Sequence, residues 1–191
     1  MKKFKNLDKR NVNQVENDIT KKWDEMDLLD KSINNRKDND TFVFYDGPAT
    51  ANGMPGAHHM LAKILKDTFC KYETMQGKKV LRKVGWDTHG LPVEVQVEKE
   101  LGFSGKSDIE AYGIKKFNEK CRESVWKNED AFNKFTKEMG QLIDLEHPYI
   151  TYDNNYIESE WWILKKMFDE GFIYEGFKVT PYCPRCGTPL A

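Results

Sequence analysis

The sequence of 191 residues has no apolar run near the roughly 20 residues that a bilayer crossing needs. Its start, Met1-Lys2-Lys3-Phe4-Lys5-Asn6, leads into no apolar signal segment. A cytoplasmic location without a membrane partner is therefore expected. A surplus of charge is missing too. Thirty Lys and Arg stand against 31 Asp and Glu, so net charge points to no polyanion, and any nucleic acid must be held by local patches. The Lys-rich stretches at 2–10 and 115–120 read as solvated faces. Cysteine is scarce, and in a reducing compartment Cys70, Cys121, Cys183 and Cys186 argue against a disulfide framework. No internal repeat or low-complexity tract occurs. What is present is 32% charged and 13% aromatic residues, which suits a hydrated surface around a ring-rich core: one domain and a smaller appendage.

Along the chain, Val12, Val15, Ile19, Trp23, Met26 and Leu29 mark one apolar face of a helix over residues 11–31. A polar linker over 32–40 follows. Thr41-Phe42-Val43-Phe44-Tyr45 reads as a short buried strand, a loop rich in Gly and Pro runs to Gly56, and residues 57–75 have helical periodicity with Gly77 as their stop. Residues 79–86 form the next strand. Strand, loop, helix, strand is a βαβ unit, which implies a parallel sheet. Further helices are expected over 92–101, 115–142 and 155–170, the last capped by Asp153 and stopped by Gly171. An extended segment over 172–180 then delivers Cys183-Pro184-Arg185-Cys186-Gly187.

The loop Asp46-Gly47-Pro48-Ala49-Thr50-Ala51-Asn52-Gly53-Met54-Pro55-Gly56 joins a strand to a helix, and its small residues admit a ligand to the backbone. Free N–H groups and the dipole of a helix start favour phosphate, with His58 and His59 as extra donors. There is no Walker A or G-x-G-x-x-G pattern. Spacing alone supports equally an anion cradle and a tight turn carrying two surface histidines. Asp87, taken alone, reads as a helix N-cap beside Thr88.

Residues 44–101 strongly resemble the catalytic domain of isoleucyl-tRNA synthetases, a class I aminoacyl-tRNA synthetase family. The resemblance rests on Phe44-Tyr45-Asp46-Gly47-Pro48, Asn52-Gly53, Lys63-Ile64-Leu65-Lys66-Asp67 and Gly85-Trp86-Asp87-Thr88-His89-Gly90-Leu91-Pro92-Val93-Glu94, in family order and spacing. The leucine type usually reads Gly-Trp-Asp-Ala-Phe-Gly at the last string and the valine type Gly-Thr-Asp-His-Ala-Gly, so Thr88-His89 favours isoleucine. This register puts the HIGH signature on Gly56-Ala57-His58-His59. Gly56 replaces its first histidine and His58 its glycine, while His59 keeps the last position. Ala49-Thr50 stands where the family more often has a proline and an aromatic, which reshapes the amino-acid slot.

The resemblance implies an α/β fold, the first half of a Rossmann-type nucleotide-binding domain of the HIGH-signature class. It divides the chain into an N-terminal helical extension and linker (1–40), the catalytic domain's first half (41–179), and the zinc-knuckle start of a connective editing insertion (180–191). It implies ATP-dependent activation of isoleucine and transfer to tRNA(Ile), with magnesium accompanying ATP. His59 and His58 would be catalytic. Gly47, Pro48, Asn52, Gly53, Gly56 and His59 would bind ATP; Pro48, Asp87 and His89 would bind the amino acid, Asp87 through the ammonium. The lysine-bearing KMSKS string is absent from the 191 residues, so the chain is expected to need the remainder of the synthetase polypeptide and to be inactive alone.

Cys183 and Cys186, three residues apart and followed by Gly187, have the spacing of a zinc knuckle, which makes half of a tetrahedral site. Cys70 and Cys121 lie in apolar helical patterns and read as core. A redox C-x-x-C is the alternative, though that motif normally opens a helix after a strand. Trp126, Phe132 and Phe135 are expected to pack, and Trp161-Trp162 to lie in the core or an interface. Two rival functions are a binding module without turnover and a generic nucleotidyltransferase.

Overall fold

A computed structural model describes residues 11–50 and 53–190. It is an α/β structure with parallel strand pairing. In chain order the elements are α1 (Val12–Glu25), α2 (Leu28–Asn34), β1 (Thr41–Tyr45), β2 (Ala49–Thr50), α3 (Ala57–Met75), β3 (Lys79–Asp87), α4 (Leu91–Leu101), α5 (Lys106–Tyr112), α6 (Ile114–Val125), a 3-10 turn (Trp126–Asn128), α7 (Glu129–Glu138), β4 (Asp144–Ile150), α8 (Asn154–Asp169), β5 (Tyr182–Cys183) and β6 (Thr188–Pro189). No helix is long and apolar enough to cross a membrane among the described residues. The chain forms two compact units and passes between them several times.

The first unit holds the described parts of Met1–Gly47, Met54–Val84 and Asp130–Pro148. The expected βαβ arrangement is present: β1 runs parallel to β3, with Thr41 opposite Lys79 and Tyr45 opposite Lys83. β1 is only half buried, because Val43 and Tyr45 alternate outward, which corrects the reading of a buried strand. α3 spans the residues its periodicity predicts. Its buried positions, however, are Lys63, Asp67 and Cys70, while Leu61, Leu65 and Phe69 are exposed. The inward stripe is polar because every member meets a partner. Asp67 pairs with Lys71 at 2.5 Å and accepts the Leu142 amide at 3.2 Å. From β3, the buried Arg82 donates to the carbonyls of Leu142 and Cys70 at 2.9 and 3.0 Å. Paired in this way, charge inside a protein avoids the large penalty of an isolated buried ion.

The single helix expected over 11–31 is two, broken at Asp27, whose φ of 47° is left-handed. Asp tolerates that region because its short side chain can hydrogen-bond locally. The Trp23 ring takes the Lys71 ammonium 5.2 Å from its centroid and docks α1 onto the turn at Gly140.

The second unit holds the described parts of Pro48–Gly53, Gly85–Glu129 and Tyr149–Ala191. The helix expected over 115–142 is instead α6 and a 3-10 turn in this unit, then α7, which falls in the first unit except for its first residue, as does most of β4 after it. Phe117 and Val125 are buried here, and Phe132 in the first unit, as their spacing implies; the Trp126 indole donates to the Tyr152 hydroxyl at 3.1 Å. α8 ends before Gly171, which takes φ of 78°. It has no buried residue, and Trp161 and Trp162 are exposed on this chain. Residues 172–180 form no ladder.

Candidate functional site

In the first unit the strand-to-helix loop is anchored at its base. Asp46, just past β1, is 3% exposed, and its amide donates to the Lys83 carbonyl at 2.8 Å. Its carboxylate takes Lys66 Nζ at 2.6 Å and the buried Lys63 Nζ at 3.2 Å, and Lys63 also donates to Gln141 Oε1 at 3.2 Å. Both lysines come from α3, so these bonds hold that helix to the strand end. In the sequence Lys63 and Lys66 stand out only as part of a matched string; partners 17 to 78 residues away leave no local signal.

The first turn of α3 carries the two histidines. The Gly56 amide donates to His59 Nδ1 at 3.0 Å, the backward half of a capping box. With Nδ1 accepting, the neutral ring carries its proton on Nε2. Burial foremost, then the charges of His58 and Lys63, hold His59 below the ordinary histidine range. The Phe132 ring meets it edge-on, with centroids 5.2 Å apart. His58 is exposed and lies back over the loop. Its ring stands 3.2 Å from where a Gly56 Cβ would be, so the departures from the HIGH pattern at Gly56 and His58 fit each other. Gly47 is also exposed, and Lys66 Nζ lies 3.6 Å from the place of its absent Cβ.

In the second unit the candidate Asp87 stands at the carboxyl end of β3. β2 pairs there in parallel, Ala49 opposite Trp86 and Thr50 opposite Asp87. Thr50 Oγ1 donates to Asp87 Oδ2 at 3.0 Å. The next residue, Thr88, is buried and clasped to Thr151: the Thr88 amide donates to Thr151 Oγ1 at 3.0 Å, and the two hydroxyls lie 3.0 Å apart. The Tyr152 amide donates to Thr88 Oγ1 at 3.0 Å, and the Thr151 amide to the Trp86 carbonyl at 3.2 Å. Thr88 is thus spent on its neighbours' backbone, and Asp87 caps no helix; α4 starts later, with Gly90 at φ of 83° as its cap residue. Gly85 has a steric reason. A Cβ there would lie 2.1 Å from the ring of Tyr149, which stacks on Tyr156.

His89 is exposed and lines a small cleft with Glu94, Cys121, Arg122 and Tyr152, to which Asp87 does not contribute. Pro48 and Gly53 are exposed, and Asn52 lies outside the described residues. The structure therefore joins Asp87 to Thr50, and Gly56 to His58 and His59, and leaves His89 in separate surroundings. The tie of Thr50 to Asp87 is not legible in the sequence, because the two lie 37 positions apart.

Cys183 and Cys186 sit on the β5–β6 hairpin rather than at a helix start, which removes the usual setting of a redox pair. The Cys186 amide donates to Cys183 Sγ at 3.4 Å, and Gly187 turns at φ of 67°. The hydrogen bonds from Cys186, then the nearby Arg185, hold the Cys183 thiol below its ordinary value. Arg185 is itself paired with the buried Glu98 at 2.8 Å. An acidic thiol beneath backbone donors fits a zinc ligand. Among the described residues no group of three or more metal-capable side chains converges, so these two are at most half a site. Burial raises the thiol of the buried Cys70, which fits its reading as core; Cys121, raised to about 11 by burial and Glu94, is only half-buried and lines the cleft with His89.

The model of class I tRNA synthetases (I, L, M and V) matches residues 18–191, and the chain belongs to that family. Within it, the chain is 53% identical over 183 residues to the isoleucine–tRNA ligase of Dehalococcoides mccartyi (strain 195), covering 96% of this chain and 18% of that protein. It is 56% identical over 169 residues to the isoleucine–tRNA ligase of Streptomyces coelicolor, covering 88% of this chain and 16% of that protein. It thus spans about a sixth of the length of these relatives. The ternary complex of Agrobacterium radiobacter K84 LeuRS with tRNA and LeuAMS shares the fold. Its TM-score is 0.59 at 16% identity, over 88% of this chain and 20% of that one.

Proposed function

We propose that residues 1–191 are the first part of an isoleucine–tRNA ligase, which activates isoleucine with ATP and passes the acyl group to tRNA(Ile). The observation that carries this reading is Asp87, a carboxylate held at a parallel strand end. Strand ends of this kind are where open α/β sheets take their ligands. The roughly 50% identity to ligases of that name supports the choice of amino acid.

In this reading Asp87 anchors the isoleucine ammonium by a charge-assisted hydrogen bond. The substrate carboxylate attacks the α-phosphate of ATP, no protein nucleophile is needed, and the rate comes from positioning and from stabilising charge on the phosphates. The loop from Gly47 to Gly56, with Pro48, Asn52 and Gly53, cradles ATP. His59 Nε2–H is the donor presented to phosphate oxygen, and His58 supports it. His89, which lines the cleft with Glu94 and Arg122, is assigned to the amino acid by the family resemblance alone. Magnesium enters with ATP and neutralises phosphate charge; no residue of this chain is assigned to it. Residues 1–40 are the helical extension, 41–179 the first half of the catalytic domain and 180–191 the opening of the insertion. There Cys183 and Cys186 would hold a structural zinc together with ligands from elsewhere in the polypeptide. A cytoplasmic site of action follows from this role.

The test is pyrophosphate exchange by the complete polypeptide that carries this sequence. Exchange should depend on isoleucine well above leucine; preference for another amino acid would overturn the reading. Residues 1–191 alone, lacking a KMSKS string, should give none.

A further inference from the structure

We propose that Thr50 is a positioning residue for the amino-acid site: its hydroxyl occupies one oxygen of Asp87 and so presents the other to the substrate ammonium. The inference rests on the reading of Asp87 given above. β2 is only two residues long, yet its register sets Thr50 directly opposite Asp87, and the Oγ1 to Oδ2 distance of 3.0 Å is a formed hydrogen bond to a charged acceptor. The backbone on both sides of Asp87 is already fixed, by the Thr151 amide on the Trp86 carbonyl and by the Thr88–Thr151 clasp. What stays soft is the carboxylate's own rotation, a broad torsion for an sp3–sp2 bond. Thr50 is the group that stops it. As a β-branched residue on a strand it has few rotamers of its own, so the position of its hydroxyl oxygen is set by the sheet. Among the described residues Asp87 Oδ1 has no hydrogen-bond partner. That oxygen is left to accept from a primary ammonium. A proline-aromatic pair at 49–50 could offer no short aliphatic hydroxyl here, so Ala49-Thr50 alters how the carboxylate is held as well as the shape of the slot.

The experiment is steady-state pyrophosphate exchange by the complete polypeptide with Thr50→Val, Thr50→Ser and Asp87→Asn, alongside thermal melts. Thr50→Val keeps shape and β-propensity but removes the donor. It should raise KM for isoleucine about tenfold, the scale of one hydrogen bond to a charged group, and leave KM for ATP within about twofold. Thr50→Ser should restore the wild-type KM. If Thr50→Val leaves the isoleucine KM unchanged while Asp87→Asn raises it, the inference fails and the reading of Asp87 stands. If neither variant moves it, the reading of Asp87 fails and takes the inference with it. If Thr50→Val lowers the melting temperature and raises both KM values, with no rescue by serine, Thr50 is only a packing residue and the proposal is overturned.

Discussion

His59 Nδ1 accepts the amide proton of Gly56 at 3.0 Å, so the ring is locked with its proton on the outer nitrogen. A donor aimed at a phosphate is worth most when charge develops there. His59→Ala should therefore lower kcat for adenylate formation on the order of 100-fold, as for loss of one preorganised donor, with little change in KM for ATP. His58 is exposed and meets Gly56 and His59 only with its ring. His58→Gly should be tolerated, and single-turnover kinetics on the two variants gives the order.

The pH dependence of His59 follows from its lowered pKa. The unfolded chain binds the proton first as pH falls, so the stability contributed by His59 is complete above the unfolded value of about 6.5 and is lost as pH drops through the lower folded value. Protonation also removes the acceptor that Gly56 uses. The acid limb of kcat should lie below pH 6.5, roughly the free histidine value. Removing the Lys63 charge, one cause of the lowering, should move the limb upward in Lys63→Met. A limb unmoved by that change would take Lys63 out of the site's electrostatics.

Asp46 and Lys63 differ in what each leaves behind. Asp46→Asn strands two ammonium groups, one of them buried, and should cost about 3–5 kcal/mol in urea unfolding. Lys63→Met leaves Asp46 its bond to Lys66 and should cost clearly less. Equal losses would mean that the pairs do not share Asp46.

Gly85→Ala drives a methyl into the Tyr149 ring, 2.1 Å from its nearest atom. A loss of about 1–3 kcal/mol is expected for overpacking of this kind, and Tyr149→Ala should recover part of it in a double-mutant cycle. Additive losses would show that Tyr149 moves aside freely.

In the complete polypeptide, Cys183→Ser and Cys186→Ser should each lower bound zinc, while Cys70→Ser keeps it. Metal content by mass spectrometry checks this; full zinc in both knuckle variants would place the site elsewhere.

Much of the fold is legible because its signals are local. Periodicity marks α3 to the residue, and β1 and β3 stand out between Gly, Pro and polar breaks. The run over 115–142 misleads because a 3-10 turn at Trp126–Asn128 interrupts it without any Gly or Pro to announce the break. Among the candidate residues, Asp87 and His59 are legible through resemblance, since short strings carry them. Thr50, Thr151 and Gln141 are not, because each acts through a partner 37 to 78 residues away. The inward face of α3 is hidden for a related reason. Apolar periodicity reports where grease lies, and on α3 the buried stripe is the charged one.

That stripe makes α3 behave like a key with cut teeth rather than a greased rod. Hydrocarbon faces can slip by a residue and find new neighbours of similar worth, whereas Lys63 and Lys66 fit one carboxylate and Asp67 one amide and one lysine. Adding a single residue between His59 and Lys63 would turn the histidine about 100° around the helix axis relative to the teeth. The distance in sequence from His59 to Lys63 should therefore be intolerant of insertion or deletion, even where the loop before Gly56 accepts a change of length.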